Sequence, residues 1–235
     1  GTYSVSTSGV MTFTPEPSYT GTPSVLKYVI SDSAGFTASS TYTPTVIPPP
    51  SATNDSTVGA QGAIQTVNLI SNDTAATGAT LNAASVYLCD AGESDAACKI
   101  AGAQSRSIAG VGTYTVDAAG VMTFTPEPSY TGTPAALKYV VSDSVNNVAS
   151  ATYTPTVIGE PTALNDASTG AWNTAQSVNP LTNENASLAG VGRFLATTVK
   201  ICAVATVGPC TGTSDVTTAD GVYAVSPTTG VITFT

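Results

Sequence analysis

Residues 1–47 return without a gap as residues 112–158, and 35 of the 47 positions are identical. The block GVMTFTPEPSYTGTP fills Gly9 to Pro23 and again Gly120 to Pro134, and a looser copy, GVYAVSPTTGVITFT, runs from Gly221 to Thr235. A spacing of 111 residues is too long for a solenoid unit of about 20–50 residues and suits a whole small β-domain of about 100. Such a chain is an array of similar modules, and each module must bury its own core.

The joints are marked by composition. Ile47 is followed by Pro48, Pro49 and Pro50, and the equivalent Ile158 by Gly159, Glu160 and Pro161. Proline fixes φ and resists helix, so both joints read as short and stiff. Each leads into a related phrase, SATNDST from Ser51 and TALNDAS from Thr162. The domain organisation that follows is residues 1–47 as the C-terminal part of a first repeat, 51–158 as a complete repeat, and 162–235 as the N-terminal part of a third. Both ends are expected to cut through repeats, as in an excerpt from a longer array.

Alternation sets the fold class. Tyr114 and Val116 share one face, as do Met122 and Phe124, then Leu137, Tyr139 and Val141, then Tyr153, Pro155 and Val157, with Thr, Ser and Lys138 between them. The first repeat keeps the pattern with Tyr3, Val5, Met11, Phe13, Leu26, Tyr28, Ile30, Tyr42 and Val46. A period of two with one apolar face predicts half-buried antiparallel sheet. Ala63 to Ile70 and Ala84 to Cys89 read as further strands, and Cys98 to Ile100 as the start of a return arm. About seven strands per repeat, and no segment with a helical period, predict an all-β chain of tandem immunoglobulin-like sandwiches. Phe124, Tyr139 and Tyr153 are the expected large core residues.

Four cysteines fall into two close pairs, Cys89 with Cys98 and Cys202 with Cys210. Their spacing points to two disulfides, each stapling a short loop. Zinc would need ligands converging from both pairs, and the chain has no histidine to complete a shell. Disulfides imply an oxidising, extracellular setting. A formal net charge of −9 with only six Lys and Arg argues against nucleic acid or anionic lipid as a partner.

At this point four phrases stand in order: ATNDST, GTYTVDAAGVMTFTPEPSYTG, LKYVVSDS and ATYTPTV. Together they resemble the CshA-type fibril repeats of bacterial surface adhesins. Cadherin-like and other bacterial immunoglobulin-like tandem repeats share the ND-containing start and the closing tyrosine strand. The resemblance implies a fibril shaft on the bacterial cell surface, or in a secreted fibre, that holds an adhesive tip away from the cell. It supplies no catalytic residues.

The residues offer little chemistry of their own. Without histidine, GxSxG, HExxH or a glycine-rich phosphate loop, the common hydrolase, metalloprotease and nucleotide sites are absent, and no enzymatic activity is expected. No cofactor is expected either. Calcium at the joints is the one metal to weigh, on Asn54, Asp55, Asn165 and Asp166, against the favoured reading of these residues as turn caps. Lys27 and Lys138 occupy equivalent places and read as solvated, which disfavours an isopeptide cross-link.

The expected partners are neighbouring repeats of the same chain, other copies in a filament, and a host or bacterial surface ligand bound through a tip outside this segment. Nucleic acid and membrane insertion are not expected. Beside the stalk stand two alternatives: a filament completed by strand exchange between chains, and a module that binds a glycan or host protein. The last would vary its loops while keeping its core, and positions 34–37 (AGFT) and 145–148 (VNNV) do differ.

Overall fold

A computed structural model describes residues 1–185, 194–202 and 212–235. The strands are β1 (Thr2–Val5), β2 (Met11–Thr14), β3 (Leu26–Ser31), β4 (Thr37–Tyr42), β5 (Asp55–Ala60), β6 (Gln65–Asn68) and β7 (Leu81–Leu88). After the helix α1 (Asp95–Ala101) come β8 (Ser105–Ile108), β9 (Gly112–Val116), β10 (Val121–Pro126), β11 (Leu137–Asp143) and β12 (Val148–Ile158). The last four are β13 (Gln176–Val178), β14 (Asp215–Thr218), β15 (Gly221–Val225) and β16 (Ile232–Phe234). The chain is all-β with an immunoglobulin-like architecture. By contact it divides into two compact units, one of residues 1–57, 64–127 and 134–155, the other of residues 58–63, 128–133 and 156–235.

The stretch from β5 to β12, most of which belongs to the first unit, forms two four-stranded antiparallel sheets, ordered β5-β12-β11-β7 and β6-β10-β9-β8. That makes eight strands, one more than the alternation pattern suggests. Between the sheets lie Tyr114, Phe124, Tyr139, Tyr153, Leu69, Leu88 and Met122, all fully buried. Tyr114 packs on Phe124 with ring centroids 4.6 Å apart and meets Tyr153 of the other sheet edge-on at 6.2 Å, a favoured aromatic geometry. Gly112, with φ +152°, opens β9 because a Cβ there would sit 2.4 Å from Thr125 O and 2.9 Å from the Phe124 ring.

The first repeat carries two hairpins of this plan, β1-β2 and β3-β4, each a two-stranded sheet. Tyr3 lies 4.7 Å from Phe13 and meets Tyr42 edge-on at 6.3 Å, which rebuilds the aromatic cluster of the second repeat. The hairpin β3-β4 pairs Leu26 with Tyr42 through Ser31 with Thr37, and β11-β12 pairs Leu137 with Tyr153 through Ser142 with Val148, so the register is shared. Even the turn survives a change of sequence. Gly35 takes φ +88° where Asn146 takes +70°, the two residue types that best tolerate the left-handed region.

In the second unit, β13-β16-β15-β14 repeats the order of β6-β10-β9-β8. Tyr223 and Phe234 stack at 4.7 Å, the third copy of the aromatic pair. Gly132 and Val157 exchange both backbone hydrogen bonds there, and Gln61 N donates to Ile158 O at 2.7 Å.

One segment departs from expectation. Cys98 to Ile100 is not a return strand but part of α1. Ser94 caps the helix by accepting from Ala97 N, Asp95 sits in its first turn and Lys99 in its last, the arrangement that satisfies the end amides and the helix dipole. Cys98 is fully buried while Ile100 is 87% exposed, so residues two apart face opposite ways. A strand would have put them on one face.

Candidate functional site

The joint between the first and second repeats lies wholly within the first unit and is built from both sides. On one side is the β11-β12 turn. Asp143 Oδ1 accepts from Val145 N at 3.0 Å and from Asn147 N at 2.8 Å, fixing the turn. The Asn147 amide is thereby aimed at the linker, where its Nδ2 donates to Ile47 O at 3.0 Å and Pro48 O at 3.2 Å. On the other side, Ser51 and Thr74 exchange both backbone hydrogen bonds at 2.9 Å, and Thr53 N donates to Asp73 Oδ1 at 2.8 Å. Ile47 Cδ1 lies 3.3 Å from where a Cβ on Gly78 would stand. The backbone of Ile47 and Pro48 thus has side-chain partners, although proline itself has no N–H to offer.

Asn147 was not singled out from the sequence, but the signal was there. It falls in the four-residue stretch that differs between otherwise near-identical copies. Its counterpart in the first repeat is Phe36, which is 76% exposed. The variable turn tip that a ligand-binding reading would claim is, in the second repeat, a contact to the linker.

The stapled loop is the second feature. Cys89 and Cys98 are bonded, with Cα atoms 5.1 Å apart. The two cysteines form a small hydrophobic cluster with Val140, against which Tyr87 and Val148 pack. Cys202 is also disulfide-bonded, and Cys210 lies outside the described residues. Lys138 is not simply solvated. Its Nζ donates to Glu93 O at 2.8 Å and pairs with Asp95 Oδ1 at 2.6 Å, tying α1 to β11. That pairing, chiefly the hydrogen bond from Lys138, holds the Asp95 carboxyl below its usual range. Arg106 pairs with Asp90 on the same loop. Among the described residues, Cys89, Glu93 and Cys98 form the trio gathered within 4.8 Å that could hold a metal. Two of its members are spent on each other, so no thiolate remains to bind.

The Asn-Asp pairs are the third. Asn54 Oδ1 accepts from Thr152 N at 3.0 Å, and Asn54 O accepts from Asn72 Nδ2. Asp55 is only 7% exposed, and its Oδ2 accepts from Tyr139 Oη at 2.8 Å. The carbonyls of Thr53 and Leu69 each lie 3.2 Å from the same hydroxyl. Burial pushes the Asp55 carboxyl up, against the hydrogen bonds from Tyr139 and Asn72. Burial also raises Asp73, with the nearby Asp55 charge adding to it, and raises the Tyr139 hydroxyl far above its ordinary value. Asp73 was missed from the sequence, although its phrase Ser71-Asn72-Asp73-Thr74 echoes Thr53-Asn54-Asp55-Ser56.

In the second unit Asn165 O accepts from Asn183 Nδ2 at 3.4 Å, and Leu164 N donates to Glu184 Oε2 at 2.6 Å. These contacts copy those of Asn54 and Asp73, with Glu184 in place of the aspartate. Asp166, unlike Asp55, is exposed.

Comparison with known proteins gives a family. The family described as the surface adhesin CshA repetitive domain matches residues 1–46 and 48–157. No curated protein matches the chain in sequence. Among solved structures, the N-terminal eight Ig domains of Down syndrome cell adhesion molecule (DSCAM) isoform 1.30.30 align at 12% identity and a TM-score of 0.28, over 75% of this chain and 24% of that one.

Proposed function

We propose, from the premise that this chain belongs to the surface adhesin CshA repetitive-domain family, that its repeats are spacer modules in the shaft of a bacterial surface fibril. Membership in a surface-adhesin family implies a cell-surface or extracellular location, and with the immunoglobulin-like fold it points to a structural, non-enzymatic role. Among the described residues no helix is long and apolar enough to cross a membrane. The repeats are residues 1–47, 51–158 and 162–235, with the prolines as joints. An adhesive tip lies elsewhere in the parent, and the modules set its distance from the cell.

The observation that carries this reading is the pinned joint. A shaft transmits reach only if neighbouring modules resist bending, and Asn147 bonds two linker carbonyls while Ser51 and Thr74 pair on the far side. Spin labels on Ser8→Cys and Ala119→Cys report the distance across the joint. The expected result is a narrow distance distribution that broadens in Asn147→Ala. A broad distribution already present with Asn147 intact would mean that the joint is a flexible tether and the modules are not a shaft.

A further inference from the structure

We propose that the stapled loop is a strut of the joint: acting through α1, it positions Asn147 against the linker, and Lys99 is the positioning residue that transmits the hold. The inference rests on the shaft reading above and names the part of the second repeat that sets the stiffness of the joint preceding it.

Asn147 needs positioning because its amide has more acceptors than hydrogens. Nδ2 carries two N–H groups and lies within bonding distance of three oxygens, Ile47 O at 3.0 Å, Pro48 O at 3.2 Å and Asp143 Oδ2 at 3.2 Å. The first two belong to the linker and the third to its own turn. A turn that backs away from the linker still leaves the amide Asp143 as a partner, so release costs little unless the turn is held in place. Asp143 cannot supply that hold. Its bonds to Val145 N and Asn147 N shape the turn from within and move with it.

Both neighbours of Asn147 are held by the stapled loop. Before it, Asn146 O accepts from Lys99 Nζ at 2.8 Å, across 47 positions of sequence. That carbonyl belongs to the same planar peptide group as Asn147 N, which donates to Asp143 Oδ1, so the plane from which the Asn147 side chain departs is fixed on both sides. After it, Val148 packs against the cluster of Cys89, Cys98 and Val140. Asn147 therefore stands between two points of attachment to one loop.

The loop is firm enough to serve. The Cys89–Cys98 disulfide ties α1 to the end of β7, and Lys138 of β11 holds Glu93 O just before the helix and Asp95 Oδ1 in its first turn. The C-terminal end of α1 lies so close to β7 that a Cβ on Gly102 would stand 2.3 Å from Cys98 O and 2.8 Å from Tyr87 Cβ. Lys99 follows the fully buried Cys98 and is itself half-buried, so its ammonium extends from an anchored backbone.

The test uses the spin-label pair Ser8→Cys and Ala119→Cys in the 235-residue chain, combined with Lys99→Met, Lys99→Arg and Asn147→Ala. Methionine keeps the apolar stem and loses the donor, whereas arginine keeps a donor. The fraction of chains outside the main distance peak should rise about three- to tenfold in Lys99→Met, the effect of one charge-assisted hydrogen bond at a half-exposed site, and should return toward the wild-type fraction in Lys99→Arg. In an Asn147→Ala background Lys99→Met should add nothing, because the residue through which it acts is gone. Cooperative melting of Lys99→Met within about 6 °C of wild type shows that the variant folds. A broad distribution in the wild type would sink the shaft itself. A narrow wild type with an equally narrow Lys99→Met leaves the shaft standing and overturns the strut, and so does a Lys99→Met effect that persists without Asn147.

Discussion

Replacing both Cys89 and Cys98 by alanine tests what holds the stapled loop. The bridged residues are nine apart, a closed loop of ten. Loop-closure entropy for that length is about 9 cal/mol/K, or about 2.7 kcal/mol at 25 °C. The alanines also remove two sulfurs from a cluster in which Cys98 and Val140 are fully buried, adding about 1 kcal/mol. Against the unfolding entropy of a repeat of roughly 100 residues, a loss of about 3–4 kcal/mol lowers Tm by about 12–18 °C. Scanning calorimetry of the full chain reads this directly, and the Cys202 disulfide stays intact, which chemical reduction would not allow. A drop of less than about 4 °C would show that α1 is held by its cap and by the Lys138–Asp95 pair, with the disulfide incidental.

Three further outcomes follow from the geometry. Asp55 and Asp73 titrate above their unfolded values because burial disfavours their charge. The folded state therefore binds protons more tightly, and their contribution to stability is fully present below the unfolded value and lost as pH rises through the folded one. The wild type should therefore gain on Asp55→Asn in urea midpoint as pH falls from neutral toward the carboxylate range, and a difference between the two that does not change with pH would contradict it. Asn146→Val forces a β-branched residue to φ +70° and should cost about 1–2 kcal/mol in chemical denaturation, whereas Asn146→Gly should be near neutral. Gly112→Ala places a methyl 2.4 Å from Thr125 O and should destabilise by roughly 3 kcal/mol, an expectation that a wild-type melting curve would refute.

How much was legible in the sequence depended on whether a segment's structure is its own or its neighbour's. The strands β9 to β12 could be read because each alternates by itself and because the duplication displays the pattern twice. Strand β5 could not, since DSTVGA is polar and becomes a strand only where β12 lies beside it; the near-copy at residues 166–171 forms none. Helix α1 was hidden for a different reason. Seven residues are two turns, too few to display a period, and its capping residues Ser94 and Asp95 look like ordinary loop residues. Asn54 and Asp55 were found as a repeated phrase, but their partners Thr152, Tyr139 and Asn72 come from 18 to 98 positions away, and spacing says nothing of such contacts. Asn147 was hidden by its own informativeness: a difference between copies reads as drift until the linker is seen against it.

The oxygen-rich start of the repeat is where a tandem array would be stiffened by calcium, and here a phenol occupies the point at which the oxygens converge. Asp55 Oδ2, Thr53 O and Leu69 O surround Tyr139 Oη at 2.8, 3.2 and 3.2 Å. Calcium requires about six to eight oxygens at about 2.3–2.6 Å, so to enter it would have to displace a side chain that is fully buried in the core. We expect a chelator to leave the melting temperature unchanged for this reason. Removing the hydroxyl is the sharper test. Tyr139→Phe leaves the buried Asp55 carboxylate without its phenolic donor, at a cost of about 1.5–3 kcal/mol for a hydrogen bond to a charged group. That cost should shrink on acidification, because a protonated Asp55 no longer carries the charge that the donor served. If calcium instead raised the wild-type Tm by several degrees, the hydroxyl would have yielded to the metal, and the start of each repeat would be a cation site rather than a capped turn.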